Sequence, residues 1–354
     1  MGRSWKSLVV LFTGFFAGAL ALLYVFVLLI DPYDIVPLSL PLDRRIVSIN
    51  QRYMYPQIAR SGRFDSLLTG TSTAQLIDPR SLNGPFVGRF ANLAMDSMRA
   101  WEQMQIVDLF SRANGPPDNL IIALDSVWCE QDADRERITF RGFPDWLYDD
   151  NGWNDYLYLL NVGTIEIAVR QLGYQLGLYR ERVRYDGFRV FTPPEVSYDA
   201  ARARQHLWKG RTPHQRPENL PPPLSASERQ ELKFPALAWL DAILAKQPSS
   251  TRRMLAYMPV HVAAQPWPNS AAASIEEECK ARIDTIAQKH GAAVVDWRIT
   301  SPITREDHHY WDPLHYRLPV AQLVARQLGD AIEGREAEDG SYVMRVRGKR
   351  RGAQ

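Results

Sequence analysis

The sequence has little cysteine and no excess of charge of either sign. Two cysteines in 354 residues are too few for a disulfide-built fold or a four-thiolate zinc site. The 42 Lys and Arg residues nearly balance the 40 Asp and Glu residues, so no global positive charge favours nucleic acid as a partner. With 45% hydrophobic and 23% charged residues, the composition excludes disordered, fibrous and polytopic membrane proteins.

Long apolar runs are also absent, except for one at the N-terminus. Leu8 to Ile30 is 23 residues without a charge, and as a helix it would reach roughly 34 Å, enough to cross a bilayer. Arg3 and Lys6 precede it and Asp31 follows it, so the positive-inside rule predicts a cytoplasmic N-terminus over residues 1–7 and an extracytoplasmic main domain. A cleavable signal peptide is the alternative, but its apolar region is usually shorter and ends in a small-x-small site.

Beyond a proline-broken stalk over residues 31–60, strand-like and helix-like segments alternate. This alternation predicts an α/β fold, in which a mainly parallel sheet lies between two helical layers. The predicted domain spans residues 61–335, and residues 336–354 are expected to be a disordered basic tail. The predicted strands are 64–69, 120–124, 254–260 and 292–299, and the predicted helices are 98–110, 227–246, 274–290 and 318–332.

Residues 126–225 interrupt the alternation and are predicted to form an insertion on one sheet edge. Aromatic side chains beside carboxylates are suited to holding sugars, and they are equally suited to packing the insertion against the domain. The crowded aromatic residues are Phe140, Phe143, Trp146, Tyr148, Trp153, Tyr156 and Tyr158.

Cys129 and Cys279 could pair outside the cytoplasm or remain free.

The first candidate site residue follows the first predicted strand. Ligands of open α/β sheets bind beyond the carboxyl ends of the strands. The sequence Gly70-Thr71-Ser72 would leave the Ser72 hydroxyl at that edge beside backbone N–H groups. The same three residues also make a good turn and helix cap.

A second candidate follows the last predicted strand. Asp312 and His315 are three residues apart, so on one turn the carboxylate can accept the imidazole Nδ1–H and leave Nε2 free to take a proton. A serine hydroxyl needs such a base to act as a nucleophile. A structural Asp–His pair is one alternative, and a metal site that uses His308, His309, His315 and the two aspartates of this segment (Asp307 and Asp312) is another. The spacing matches no common zinc pattern, and we expect no metal or other cofactor.

The third predicted strand ends at Asp125, and the loop from Asn92 to Ser97 lies between the first and third strands. Together, the Gly-Thr-Ser turn and the Asp-Pro-Leu-His segment at 312–315 resemble the SGNH (GDSL-like) hydrolase superfamily. The chain is most similar to its membrane-anchored bacterial branch, which shares Asp-Pro-Tyr (residues 31–33) and Asn-Gln-Arg-Tyr (residues 50–53). It is more distantly similar to alginate O-acetylation and teichoic-acid D-alanylation proteins.

The resemblance implies a flavodoxin-like three-layer domain outside the inner membrane. It implies that Ser72 is the nucleophile, His315 the base and Asp312 its orienting acid. The implied function is that of an esterase or O-acyltransferase, acting on acylated carbohydrate or small esters beside other envelope polysaccharide-modification proteins. A membrane-tethered lipase or thioesterase is another reading.

Oxyanion contacts are expected from Gly70 and from the backbone N–H groups of Ser72 and Ser97. Asp125 stands where the family has an asparagine that donates to the oxyanion, and Ser97 stands near the family's glycine. An ionised Asp125 cannot donate, and the loss of one oxyanion donor costs roughly 3–4 kcal/mol. Asp125 would help only if burial kept it protonated, or Asn92 could substitute for it. A catalytically silent polysaccharide-binding or assembly protein is therefore the rival expectation.

Overall fold

The computed structural model describes residues 2–132 and 142–348. Its six strands form one sheet in the order β2-β1-β3-β4-β5-β6. Strands β1 to β5 pair in parallel and β6 is antiparallel, which confirms the α/β class and the mainly parallel sheet. The strands are β1 (Ser66–Thr69), β2 (Phe90–Asn92), β3 (Asn119–Leu124), β4 (Arg252–Tyr257), β5 (Ala293–Asp296) and β6 (Val343–Val346).

Twelve α-helices accompany the sheet within the described ranges. The first, α1, contains the apolar run, and its Trp5–Ile30 segment is the one stretch of described chain long and apolar enough to cross a membrane. The helices are α1 (Gly2–Ile30), α2 (Gln51–Arg60), α3 (Pro79–Phe86), α4 (Ala100–Asn114), α5 (Asp155–Tyr158), α6 (Val162–Gln175), α7 (Ala200–Trp208), α8 (Ala226–Glu231), α9 (Ala236–Ala245), α10 (Ala271–His290), α11 (Pro302–Arg305) and α12 (Leu318–Ile332).

Local sequence signals explain most helix boundaries. Helix α10 begins where the Ser270 side chain accepts the Ala273 N–H and ends at Gly291, whose φ of 66° is left-handed. The predicted helix over 227–246 is wrong as a single element, because α8 and α9 are separate. Pro235 stands between them, and proline lacks the N–H and clashes with the preceding turn of a continuing helix.

The chain end differs from the predicted disordered tail. Residues Val343–Val346 form β6, which pairs with β5. Arg345 lies 2.7 Å from a Glu277 oxygen and 3.0 Å from an Asp284 oxygen on α10. These carboxylates hold a basic residue that the sequence pattern had assigned to solvent. Lys349, Arg350 and Arg351 lie outside the described residues.

The chain divides into two compact units. The anchor unit contains Met1–Gln57 and Pro144–Tyr185, and the sheet unit contains Ile58–Phe143 and Asp186–Gln354. The predicted insertion over 126–225 is therefore split between the two units instead of forming one block on the sheet edge.

Within the anchor unit, the residues after α1 are held by buried polar contacts. The Asp31 carboxylate accepts the Val36 N–H at 2.8 Å, and the Tyr33 hydroxyl lies 3.1 Å from that of Thr164. The Tyr33 ring packs edge-on against Trp146, with 5.6 Å between centroids. Trp146 and Tyr148 are buried, so these two of the crowded aromatic residues serve packing. Phe140 lies outside the described residues.

The core of the sheet unit lies around the central strands. Leu68, Ile121, Met254 and Val295 are buried within one cluster that also contains Val324 of α12. Because β1, β3, β4 and β5 are parallel, their carboxyl ends meet at one edge of the sheet. The candidate site residues follow these ends.

Candidate functional site at the carboxyl edge of the sheet

Ser72 lies on a tight turn directly after β1. Gly70 is needed there because a Cβ at this position would lie 2.6 Å from the Ala123 Cβ on the neighbouring strand. Thr71 caps the 3₁₀ turn Ser72–Ala74 by accepting the Thr73 N–H. The turn leaves Ser72 half-buried and its hydroxyl available to a neighbouring side chain.

The structure brings Ser72, His315 and Asp312 together. Ser72 Oγ lies 2.9 Å from His315 Nε2, and His315 Nδ1 lies 2.8 Å from Asp312 Oδ2. With the proton on Nδ1 donated to Asp312, Nε2 is left as an acceptor for the Ser72 hydroxyl. This arrangement can transfer the hydroxyl proton to the imidazole, the step that makes a serine nucleophilic.

Asp312 is held in its ionised form. Burial by itself would raise the pKa of Asp312, but the hydrogen bond and charge of His315 and the N–H groups of Leu314 and His315 keep that pKa below its usual range. Both N–H groups bind Asp312 Oδ1, at 2.8 and 3.0 Å. The carboxylate is therefore oriented as well as charged.

The turn that carries these two residues is fixed from several sides. The Trp311 N–H donates to His315 O at 2.9 Å, and the His261 N–H donates to Pro313 O at the same distance. The Tyr316 hydroxyl donates to the Thr73 carbonyl, which joins this turn to the Ser72 turn. Phe191 packs edge-on against the His315 ring, with 5.2 Å between centroids. The imidazole is therefore confined to the position that faces Ser72.

Asp125 is buried beside the Ser72 turn and acts as an acceptor. Its carboxylate accepts the Thr71 hydroxyl and, at 3.1 Å, the Val127 N–H. Burial raises the pKa of Asp125, while the nearby Arg298 guanidinium, the Thr71 hydroxyl and the Val127 N–H act in the opposite direction. Both hydrogen bonds use the carboxyl oxygens as acceptors and support the Ser72 turn.

The side chain of Asn92 is also hydrogen-bonded within the protein. Its amide nitrogen donates to Ala74 O and Ile77 O, both at 2.9 Å, and its oxygen accepts the Ala94 N–H at 3.1 Å. Both amide hydrogens are used in holding the segment after Ser72. The expectation that Asn92 could supply an oxyanion donor is therefore not supported, because no N–H of its side chain remains free.

Ser97 lies in the loop that follows β2. Its φ of 50° is left-handed, a conformation that glycine adopts at lower cost. The loop is held against the Ser72 turn because the Met95 N–H donates to Gly70 O at 3.0 Å. Ser97 is exposed and belongs to the same edge of the sheet.

Sequence reasoning missed a buried histidine behind the 312–315 turn. His261 Nδ1 accepts the Ala263 N–H at 3.1 Å, and Nε2 lies 3.1 Å from Asp307 Oδ1. Trp208 of α7 donates to the same carboxylate at 3.1 Å. Burial lowers the pKa of His261, against the opposing effect of Asp307. His261 follows β4, so the strand-end rule applied to the other three strands could have found it.

An open cavity of about 740 Å³ lies beside His315. One wall is the 312–315 turn, and the other is the end of α7 with the residues after it. Polar side chains that sequence reasoning had not singled out line this wall, namely Gln205, His206 and Lys209.

The histidine cluster at 308–315 does not assemble as a metal site. His309 Nδ1 lies 3.0 Å from Ile303 O, and His315 is engaged with Ser72 and Asp312. In residues 2–132 and 142–348, no group of three or more His, Cys, Asp or Glu side chains is arranged to hold a metal ion.

Comparison with known proteins finds no family model that matches the chain and no curated protein that is similar to it.

Proposed function

We propose that the protein is a membrane-anchored, extracytoplasmic serine esterase or O-acyltransferase of the SGNH-like type. Its substrates would be acyl esters, in particular O-acetyl groups of an envelope polysaccharide. The observation that carries the proposal is the relay from Ser72 Oγ to His315 Nε2 at 2.9 Å and from His315 Nδ1 to Asp312 at 2.8 Å. This is the geometry that serine acyl transfer requires.

In the proposed reaction, Ser72 Oγ attacks the acyl carbon while His315 Nε2 takes its proton. The tetrahedral intermediate collapses to an acyl-serine as the imidazolium protonates the departing alcohol. Water, or the hydroxyl of an acceptor sugar, then attacks the acyl-serine and gives its proton to His315. The bond between the acyl carbon and Ser72 Oγ breaks as the imidazolium returns that proton to Oγ. Asp312 stabilises the imidazolium throughout, and the backbone N–H groups of Ser72 and Ser97 are the proposed oxyanion donors.

Three features support the proposed architecture and location. The first five strands follow the order 2-1-3-4-5, which is also the order of flavodoxin-like doubly wound sheets. Helix α1 is long and apolar enough to serve as an anchor. Cys129 and Cys279 are joined by a disulfide, and such bonds persist in oxidising compartments outside the cytoplasm.

The cavity beside His315 has one wall with polar side chains, which suits a hydroxyl-bearing substrate, while Pro313 and Leu314 line the facing wall. Gln205, His206 and Lys209 supply amide, imidazole and ammonium groups along one wall, and all three are exposed. Hydroxyl and carboxylate groups of a sugar would find donors there.

A matched pair of serine variants in the full chain tests the proposal. Ser72→Ala should abolish hydrolysis of a chromogenic acetyl ester and covalent labelling by a fluorophosphonate. Ser126→Ala is the control, because Ser126 is an exposed serine that follows β3 and has no histidine partner among its hydrogen bonds. Hydrolysis or labelling that survives Ser72→Ala would overturn the assignment.

A catalytically silent, polysaccharide-binding protein is the second candidate. Two side chains near the expected oxyanion site favour this candidate. Asp125 accepts a hydrogen bond there, and both hydrogens of the Asn92 amide are already donated to backbone carbonyls. The same labelling experiment separates the two candidates. A folded wild-type chain that forms no fluorophosphonate adduct at Ser72 would favour the silent protein.

A further inference from the structure

An apolar surface on the anchor unit is left uncovered by residues 2–132 and 142–348. We call it the 153–162 surface. Trp153, Leu157 and Val162 are 85%, 81% and 82% exposed. Such large side chains are costly to leave in water when they lie together. The surface consists of Trp153, Leu157, Tyr158, Leu160 and Val162.

The 153–162 surface contacts α1 at a defined position along the helix axis. The Tyr24 hydroxyl donates to Tyr156 O at 2.9 Å, in the middle of the surface segment. A turn further on, Val27 and Ile30 are buried, and the Tyr33 hydroxyl contacts Thr164 of α6. The last part of α1 is therefore packed within the anchor unit, and the segment cannot move along the helix axis independently.

The uncovered part of α1 matches the thickness of a bilayer. All 18 residues from Trp5 to Leu22 are exposed, which corresponds to about 27 Å of helix against a hydrocarbon core of about 30 Å. Helical side chains lean toward the N-terminus, so the Tyr24 hydroxyl lies over the turn that ends this exposed stretch. Because Val27 and Ile30 are buried in the anchor unit, the hydrocarbon core would end near Tyr24 and not at Ile30, the end of the expected 8–30 span. The contact with Tyr156 lies at that height.

We propose that the 153–162 surface lies in the interfacial layer of the membrane that α1 enters, with its apolar side chains among the lipid headgroups and upper acyl chains. Trp and Tyr are the residues enriched at this depth. One polar side chain of the segment has local partners: Asn161 caps α6 through the Thr164 N–H at 2.9 Å and donates to Tyr158 O at 2.7 Å. Burial in the interface therefore leaves the Asn161 side chain hydrogen-bonded. This inference rests on the proposed insertion of α1, and it does not depend on the chemistry of Ser72.

Site-directed spin labelling of the full chain in phosphatidylethanolamine–phosphatidylglycerol vesicles tests the inference. Both native cysteines are in the disulfide, so a single introduced cysteine carries the label. Leu157→Cys probes the surface, and Phe12→Cys probes α1. Val196→Cys, at a 98% exposed aliphatic position of the sheet unit, is the matched control. Accessibility to oxygen and to a water-soluble nickel complex is measured at each label by power saturation.

At Leu157 we expect several-fold lower accessibility to nickel than at Val196 and higher accessibility to oxygen, with Phe12 more strongly protected still. A Leu157 label that is as accessible to nickel as the Val196 label, while Phe12 is protected, would overturn the inference and leave the anchor intact. Shielding of Leu157 from both reagents would also overturn it, since that result indicates cover by protein. A Phe12 label open to nickel would overturn both the anchor and the surface.

Discussion

Replacing Asp312 by asparagine removes the charge from the 312–315 turn with almost no change of shape. Asp312 Oδ1 accepts the N–H groups of Leu314 and His315, so in the variant the side-chain oxygen must keep this position. The amide NH₂ then faces His315 Nδ1, where the carboxylate oxygen lies 2.8 Å away in the native chain. Because the NH₂ can only donate, Nδ1 must become an acceptor and the proton moves to Nε2.

An imidazole with its proton on Nε2 cannot take the proton of Ser72. Loss of the correct tautomer at unchanged geometry lowers kcat by about 10⁴-fold in serine triads, or about 5 kcal/mol at 1.36 kcal/mol per tenfold. We expect a loss of that order for Asp312→Asn in chromogenic acetyl ester hydrolysis, with a correspondingly slow fluorophosphonate reaction.

The control for this variant is Asp339→Asn. Asp339 also caps a backbone N–H, that of Ser341 at 2.9 Å, but it contacts no candidate site residue. It should retain wild-type activity. The folded chain lowers the pKa of both carboxyl groups, so each variant should lose some stability at neutral pH while still melting in one cooperative transition. If Asp312→Asn kept more than about a tenth of the activity while Ser72→Ala had none, the proposed role of Asp312 would be refuted.

Three further changes probe the scaffold of the site. Asp125→Asn should raise esterase activity, by at most the roughly 3–4 kcal/mol of one oxyanion donor. Burial raises the pKa of Asp125, so its contribution to stability is lost as pH rises through the folded-state pKa. The melting temperature of Asp125→Asn should therefore rise relative to that of the wild type between acidic and neutral pH. A difference in melting temperature that does not change with pH would contradict this. Gly70→Ala places a Cβ 2.6 Å from that of Ala123 and should lower the free energy of unfolding by about 1–3 kcal/mol, so an unchanged denaturant midpoint would count against such close packing. Replacing Cys129 and Cys279 by serine should lower the free energy of unfolding by about 2–5 kcal/mol. Reductant should lower the melting temperature of the wild type and leave that of the double variant unchanged.

Local patterns in the sequence predicted the elements that local physics controls. The helix over 318–332 has the predicted bounds, and α10 ends at its predicted glycine cap. The break at Pro235 was missed although its cause is local. By contrast, β6 forms only because its residues reach β5, about fifty positions earlier in the chain. No periodicity within a four-residue segment could indicate that pairing.

The sequence by itself determined that Asp312 and His315 share one turn, since a separation of three residues fixes their neighbourhood. It also determined an N-terminal segment of bilayer length. Only the tertiary structure decided that Ser72 meets His315 across 243 positions, that the Asn92 amide is used within the scaffold, and that residues 144–185 pack with α1. The physical reason is the range of the interactions. Spacing and composition encode contacts within a turn or a strand, whereas contacts between distant segments depend on how the buried faces of the whole chain pack together.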